Sequence, residues 1–187
     1  KTDSIDSETL AHLLRADLIP PAYAPSSETR DQKNLLRYRS SLTAMKVRIK
    51  NMIHSVLTRN HIEDEGFQGL SDKLGKKGIA YMRAVTLKGN DTAILHDYLD
   101  LLEETEKRIK AAESRIRAVC RQDEICRLLS SIPGIGDILA VTIRYEIDNI
   151  ERFISSGKLC SYAGLVPSTY SSGSRTYQGR ITKQGNK

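Results

Sequence analysis

Two adjacent serines near the C-terminal end lie among small residues. Ser171 and Ser172 precede a glycine, and cations follow at short intervals, at Arg175, Arg180 and Lys183. A serine that attacks a phosphodiester needs an accessible hydroxyl, cations that offset charge on the phosphoryl oxygens, and a group that accepts its proton. The cations are present here, but no neighbouring residue is an obvious base. On this chemistry alone, Ser-Ser-Gly is more typical of a turn than of a nucleophile.

Two carboxylates lie close together at the other end of the chain. Asp3 and Asp6 are three residues apart, so on a helix they share a face and both can approach one divalent cation. Two carboxylates make an incomplete Mg²⁺ site, because phosphoryl transfer usually adds further acids to hold two ions. The alternative is helix capping, in which the acids complement the positive end of the helix dipole.

A glycine-containing turn between two apolar patterns is the strongest local motif. The patterns predict helices over about 124–131 and 137–147, and Gly134, Ile135 and Gly136 lie between them. Glycine permits a tight bend, and the second helix then begins with free amide groups and a positive dipole end that can hold a phosphate. Such a contact positions DNA or RNA without reading its sequence. The alternative is an ordinary corner between two packed helices.

Net charge is consistent with a polyanionic partner but does not prove one. The chain has a formal charge of +6 and a pI of about 9.2. Residues 30–61 contain eight Lys or Arg and one acid, and residues 167–187 contain four bases and no acid. A solvated, charged helix surface is the alternative for the first of these segments.

Heptad spacing predicts two long helices that position these groups. One apolar row is Leu35, Leu42, Ile49 and Val56, and a second, offset by three residues, is Tyr38, Met45 and Met52. A later segment repeats the pattern with Leu95, Leu102, Ile109 and Ile116, and with Tyr98, Thr105, Ala112 and Val119. We predict an antiparallel coiled-coil hairpin over residues 28–122, with short helices and turns at its tip, residues 58–91. Pairing with a second chain is the alternative.

The remaining segments complete a mainly α prediction. Residues 1–27 read as a short helix followed by a proline-rich linker, and residues 123–187 as a helical unit that becomes a loop from Ser155 onward. Three cysteines form no zinc spacing, which favours reduced thiols in a cytoplasmic protein. No apolar run is long enough for a membrane span. Because the chain begins without Met and ends in mid-pattern, we expect a fragment.

Four blocks, in order, resemble one family. They are KTDSIDSETLAHLL, LLRYRSSLTAMKVRIKNMIHSVL, SSIPGIGDILAVTI and RFISSGKLCSYAGLVPSTYSSGSRTYQGRITKQGNK. Together they resemble the DEDD-type transposases of insertion sequences, the group numbered one-ten, which includes pilin-gene inverting recombinases and bridge-RNA-guided recombinases. The resemblance covers nearly the whole chain, and the order of the blocks makes it more specific than any single motif.

The resemblance implies a layout and an assignment of residues. It implies that residues 1–27 end a resolvase-like α/β nuclease domain, and that residues 123–187 form a transposase domain with a helix-hairpin-helix and a catalytic serine loop. Asp3 and Asp6 match the last two acids of the family's Asp-Glu-Asp-Asp set. Ser172 matches the serine that precedes a glycine, and Ser171 stands where the family commonly has Gln.

The resemblance also implies an activity and partners. The family's mechanism is DNA cleavage and strand exchange through a phosphoserine–DNA intermediate, with Mg²⁺ on the acids and a dimer or tetramer as the working unit. A guide RNA is an expected partner, and the basic first helical arm is a candidate contact, through Arg37, Arg39, Lys46, Arg48 and Lys50. With half of the acids missing, we expect this fragment alone to bind no Mg²⁺ stably and to be inactive. A non-enzymatic helix-hairpin-helix module that binds nucleic acid, or a coiled-coil assembly protein, is the alternative.

Overall fold

Two long helices that run antiparallel form the centre of the fold. The computed structural model describes residues 3–19, 22–62, 65–173 and 175–181. The helices are α1 (Asp3–Arg15), α2 (Ser27–Arg59), α3 (Glu65–Gln68), α4 (Lys76–Ala84), α5 (Asp91–Gln122), α6 (Glu124–Ser130), α7 (Asp137–Ile147) and α8 (Ser156–Tyr162). A 3₁₀ turn, Ile150–Arg152, precedes α8, and two antiparallel strands follow it, β1 (Pro167–Ser172) and β2 (Arg175–Ile181). No helix among the described residues is both long and apolar enough to span a membrane.

Ion pairs between α2 and α5 fix the direction in which the two helices run. Lys46 Nζ lies 2.9 Å from Glu106 Oε1, and Arg59 Nε lies 2.9 Å from Asp91 Oδ2. Residue numbers therefore rise along α2 as they fall along α5, as in an antiparallel hairpin closed within one chain. A supercoil between the two helices stays a prediction.

The second apolar row assigned to α2 is wrong in its first two positions. Leu42, Ile49 and Val56 of the first row are buried, but Tyr38 and Met45 are 43% and 48% exposed. The second row that contacts α5 is instead Arg39, Lys46 and Ile53. Two of its members are cations, and they reach carboxylates on α5 along their aliphatic stems.

Two separate hydrophobic clusters stabilise the ends of the hairpin. The tip cluster consists of Ile49, Ile53, Val56, Leu57, Phe67, Met82, Leu87, Leu95, Leu99 and Leu102. The base cluster consists of Leu36, Ile116, Cys120, Cys126, Ala140, Val141 and Tyr145. Helices α3 and α4 occur at the tip, where short helices and turns were predicted. At the base, burial raises the pKa of the Cys126 thiol to about 12, so this cysteine packs as a protonated, apolar side chain.

The C-terminal unit agrees with the prediction for α6 and α7 and departs from it afterwards. Both helices lie where the apolar patterns predicted them. From Ser155 onward, however, the chain forms α8 and a two-stranded hairpin where a loop was expected. Each strand contains an adjacent Thr-Tyr pair, Thr169-Tyr170 and Thr176-Tyr177, and both residue types favour strands. Gly173 provides the φ of +59° that a tight hairpin turn needs.

Gly78 packs closely against the backbone at the tip of the hairpin. A Cβ added to Gly78 in α4 would lie 2.0 Å from the backbone oxygen of Lys73. Because that oxygen belongs to the backbone, Gly78→Ala should lower the free energy of unfolding by about 1–3 kcal/mol, measured by urea denaturation.

Gly157 in α8 provides the matched control for this substitution. Its nearest neighbour outside the helix backbone is Ser155 Oγ, at 3.8 Å. Gly157→Ala should be neutral or stabilising by up to about 1 kcal/mol, because alanine favours the helix. Equal denaturation midpoints for Gly78→Ala and the wild type would contradict the close contact at the tip.

Candidate functional site

Ser172 ends β1 at the turn of the C-terminal hairpin. It lies directly opposite Arg175, the first residue of β2, and Gly173 follows it. Ser172 is exposed, and so are the guanidinium-bearing residues Arg175 and Arg180. Lys183, the third predicted cation, lies outside the described residues. The structure therefore brings the predicted serine next to one predicted cation in register.

The two neighbouring serines differ in what they face. Residues directly opposite in an antiparallel pair share a face, and successive residues alternate between faces. Ser171 lies opposite Thr176, and their hydroxyl oxygens are 3.2 Å apart, within hydrogen-bonding distance. Ser172 lies on the other face with Arg175. A phosphate that approaches Ser172 therefore meets a guanidinium, whereas one that approaches Ser171 meets a hydroxyl pair.

The predicted turn between α6 and α7 has the backbone that glycine makes possible. Gly134 has a φ of +92°, and Gly136 is the N-cap of α7. Because a glycine cap has no side chain, it leaves the first amide groups of α7 without a side-chain acceptor at that position. A groove beside this end of α7 is lined by Arg39, Arg117, Gly136, Asp137, Ile138, Leu139 and Thr142. The groove contains two guanidinium groups, both paired with Glu113, and one carboxylate.

Asp123 holds the two helices of this turn together. Its carboxylate accepts a hydrogen bond of 2.8 Å from the Cys126 amide, capping α6, and another of 3.2 Å from Arg144 Nε in α7. Burial raises the pKa of Asp123, but these hydrogen bonds and the charge of Arg144 outweigh it, so the pKa lies below its ordinary value. The charged carboxylate therefore fixes the angle between α6 and α7.

The basic residues of α2 fall into two groups. Arg39 and Lys46 contact Glu113 and Glu106 of α5, at 2.8 Å and 2.9 Å. Arg37 and Arg48 are exposed, and Arg37 lines a groove between α2 and α7. Lys50 is half-buried beside a groove on the hairpin. A phosphate contact by Arg39 or Lys46 has to share these cations with carboxylates, so Arg37 and Arg48 are the better-placed candidates.

The two predicted acidic ligands lie in the first turn of α1. Asp3 and Asp6 are one helical turn apart, as a shared cation requires. Within the described ranges, no group of three or more His, Cys, Asp or Glu side chains could hold a metal ion. The pair therefore fits part of a Mg²⁺ site and does not complete one. Helix α1 buries none of its residues, and its apolar side chains Ile5, Leu10 and Leu14 are exposed.

Asp148 ties the linker after α1 to the C-terminal unit, and the sequence analysis missed it. The Tyr23 hydroxyl donates to Asp148 Oδ2, and the Thr29 hydroxyl donates to Asp148 Oδ1 over 2.9 Å. The guanidinium of Arg152 lies 4.3 Å from the centre of the Tyr23 ring. We call these residues the linker clamp. The available sequence signal was Asp-Asn after a helix, because Asp148 has a φ of +57° that only Gly, Asn and Asp tolerate readily.

Protonation of Asp148 should release the linker clamp. Burial raises the pKa of Asp148. Hydrogen bonds from Tyr23 and Thr29 and the charges of Arg144 and Lys33 lower this pKa by more than burial raises it, so the pKa lies below its ordinary value. Its contribution to stability is therefore complete above the unfolded pKa of about 3.9 and is lost as the pH falls through the lower folded value.

Asp148→Asn tests this linkage. At pH 7 the variant should be less stable than the wild type by about 1 kcal/mol, and the difference should shrink toward zero as the pH falls from 5 to about 2. The measurement is urea denaturation at several pH values. Asp97→Asn, at an exposed acid on α5, should change stability little at any pH. If the difference in stability between Asp148→Asn and the wild type persists unchanged at low pH, the charge of the carboxylate is not what stabilises the linker clamp.

Comparisons with known proteins match both ends of the chain to transposases. A family model described as "Transposase IS116/IS110/IS902 family" matches residues 126–187, and a second model, of the DEDD transposases of the same group, matches residues 1–62. The chain is 26% identical to the transposase for insertion sequence element IS1111A of Coxiella burnetii, covering all of this chain and 51% of that protein. It is also 26% identical to the transposase for IS1328 of Yersinia enterocolitica, covering all of this chain and 55% of that protein. The chain thus spans about half the length of the curated relatives it matches.

Proposed function

Because this chain belongs to the DEDD transposases of the IS116/IS110/IS902 family, we propose that it is part of an enzyme that cuts and rejoins DNA. Its relatives are named for insertion sequence elements, and we extend that role to this chain. The substrate is double-stranded DNA at the ends of such an element. In this proposal the chain contributes the serine, a turn that binds a phosphate, and two acids of a metal site.

Ser172 is the proposed nucleophile, and its shared face with Arg175 is the observation that carries the proposal. The Ser172 oxygen attacks a backbone phosphorus, an Oγ–P bond forms, and the P–O bond to the leaving deoxyribose oxygen breaks. The serine proton passes to a base outside the described residues, and the leaving oxygen takes up a proton. Arg175 offsets the charge that develops on the phosphoryl oxygens. Strand exchange follows when a different deoxyribose hydroxyl attacks the phosphoserine.

Asp3 and Asp6 are the proposed contribution of this chain to a Mg²⁺ centre. Bound Mg²⁺ would polarise the phosphoryl group and neutralise charge on it. The remaining ligands come from elsewhere in the whole enzyme, and the site is assembled in a homodimer or tetramer. The exposed apolar side chains of α1 support such an assembly, because a surface of this kind needs a partner that covers it. The linker clamp holds the far end of the α1–α2 connection against α7.

We propose contacts with the phosphate backbone of nucleic acid at two places. The amide groups at the start of α7 take a DNA phosphate, with Gly134, Ile135 and Gly136 forming the turn that exposes them. Arg37 and Arg48 contact a second polyanion along α2, which we propose to be a structured guide RNA. A non-enzymatic nucleic-acid-binding module is the second candidate function, favoured by the glycine cap of α7 alone.

Trapping the covalent intermediate in the full-length enzyme tests the serine. Ser172→Ala should abolish the protein–DNA adduct detected on a denaturing gel, because the attacking oxygen is gone. Ser171→Ala should retain at least about a tenth of the adduct, since it removes only a hydroxyl that pairs with Thr176 and costs about 1 kcal/mol. An adduct that survives Ser172→Ala, or disappears with Ser171→Ala, means that the nucleophile is misassigned.

Metal dependence of the same adduct tests the acids. Asp3→Asn and Asp6→Asn should each lower the rate of adduct formation by at least about a hundredfold, because each removes a charged Mg²⁺ ligand. Raising the Mg²⁺ concentration should recover part of the rate. Asp17→Asn is the control, since Asp17 lies beyond the end of α1 at a φ of +55° that Asn accepts. Equal losses in all three variants would indicate a general effect on folding.

A further inference from the structure

One face of the C-terminal hairpin carries two tyrosines beside the proposed nucleophile. Tyr170 lies directly opposite Tyr177, and this pair is two residues along the strands from Ser172 and Arg175. Because the side chains of a strand alternate, all four lie on the same face. The tyrosines are 69% and 62% exposed. We call these four residues the tyrosine face.

The rings of Tyr170 and Tyr177 make few contacts with the rest of the described residues. Among the described residues, neither Tyr170 nor Tyr177 stacks on another ring or on a cation, whereas Tyr23, Tyr81, Tyr145 and Tyr162 all do. The two strands pack chiefly on each other, and only Ser168 and Val166 near the start of β1 are half-buried. An isolated two-stranded hairpin is only marginally stable in water, so large apolar rings on its surface gain from an external partner.

The positive charge of the C-terminal segment favours a polyanionic partner. Residues 167–187 contain four bases and no acid, and Arg175 lies on the same face as the rings. Exposed aromatic rings beside cations fit a nucleic-acid strand, whose bases stack on the rings while its phosphates contact the cations. An acidic peptide would use the cations but would leave the rings without stacking partners.

Spacing along the strand determines which base is within reach. Two residues of a strand span about 7 Å, so the rings lie roughly one nucleotide away from the Ser172 hydroxyl. A base inside a duplex is covered above and below by its neighbours, and its flat face is accessible only after it has left the stack. The tyrosine face therefore fits a base that has been displaced from the duplex beside the reacting phosphate.

We propose that Tyr170 and Tyr177 form a stacking surface for one unstacked base of the nucleotide adjacent to the phosphate that Ser172 attacks. The ligand is a DNA strand distorted at the cleavage site, held with little preference for the base because every base has an aromatic face. The position of this base relative to the serine rests on the proposed function. The stacking itself does not, because it can be measured in an enzyme that cannot react.

The test uses full-length enzyme carrying Ser172→Ala and a DNA duplex with 2-aminopurine next to the cleavage site mapped with the wild-type enzyme. Binding should change the 2-aminopurine fluorescence as the base leaves its stack and meets a ring. Tyr170→Phe and Tyr177→Phe should keep the signal and the affinity, because they keep the ring. Tyr170→Val and Tyr177→Val should lose the signal and weaken binding by about five- to a hundredfold, because valine favours strands but cannot stack.

Matched controls lie on the opposite face of the same hairpin. Thr169 lies opposite Gln178 there, so Thr169→Val and Gln178→Val also place valine in each strand without touching the rings. They should bind like the parent. If the Val variants at Tyr170 and Tyr177 also bind like the parent, the stacking surface does not exist. The same holds if the Val variants on both faces weaken binding equally, because hairpin stability would then explain the effect.

Two further outcomes distinguish this proposal from the assignment of the nucleophile and from a role of the rings in oligomerisation. If Ser172→Ala still forms the covalent adduct but the fluorescence depends on the rings, the nucleophile is wrong and the stacking surface stands. If sedimentation without DNA shows that the Val variants lose an oligomer that the parent and the Phe variants form, the rings cover a second subunit, and the proposal for DNA is overturned.

Discussion

The antiparallel contact between α2 and α5 is the constraint on which the rest of the structure depends. After the chain has reached the tip, α5 returns it to the level at which α2 began. As a result α7 packs beside α2, and α6 packs on α5 and α7. Lys33 near the start of α2 reaches Glu146 at the end of α7, with 2.9 Å between Nζ and Oε2. The two arms are nearly equal in length, at 33 and 32 residues. Residues separated by more than a hundred positions therefore meet, as Thr29 and Asp148 do.

Because α5 returns the chain to the start of α2, both ends of the chain are attached to the same unit. The linker clamp fastens the segment before α2 to the end of α7, and the hairpin strands leave the same unit after α8. The acids of α1 and the serine of β1 thus belong to two projections from one base, and neither projection is packed extensively on another described element. This arrangement is consistent with our proposal that these groups belong to an enzyme whose site is assembled in a complex with nucleic acid.

Sequence patterns predicted the helices well and the contacts between distant segments poorly. The row of Leu42, Ile49 and Val56 was found because burial of an apolar row has a clear period. The row that faces α5 was missed because Arg39 and Lys46 are buried along their stems and paired at their ends, which a search for apolar residues passes over. The strands were missed because neither face of the hairpin is buried, so no apolar alternation marks them. The clamp was missed because only the fold brings Tyr23 and Thr29 to Asp148.

The division of the hairpin into two hydrophobic clusters has a consequence for how it opens. Between the tip and base clusters, the contact rests on a short set of buried residues, Leu42, Thr105, Ile109 and Ala112, flanked by the ion pairs of Arg39 and Lys46. Exposed or half-exposed ion pairs add little cohesion, and salt weakens them. We therefore expect the two ends to open as separate cooperative units. In that case the tip opens while the base, with α6 and α7, keeps its native arrangement.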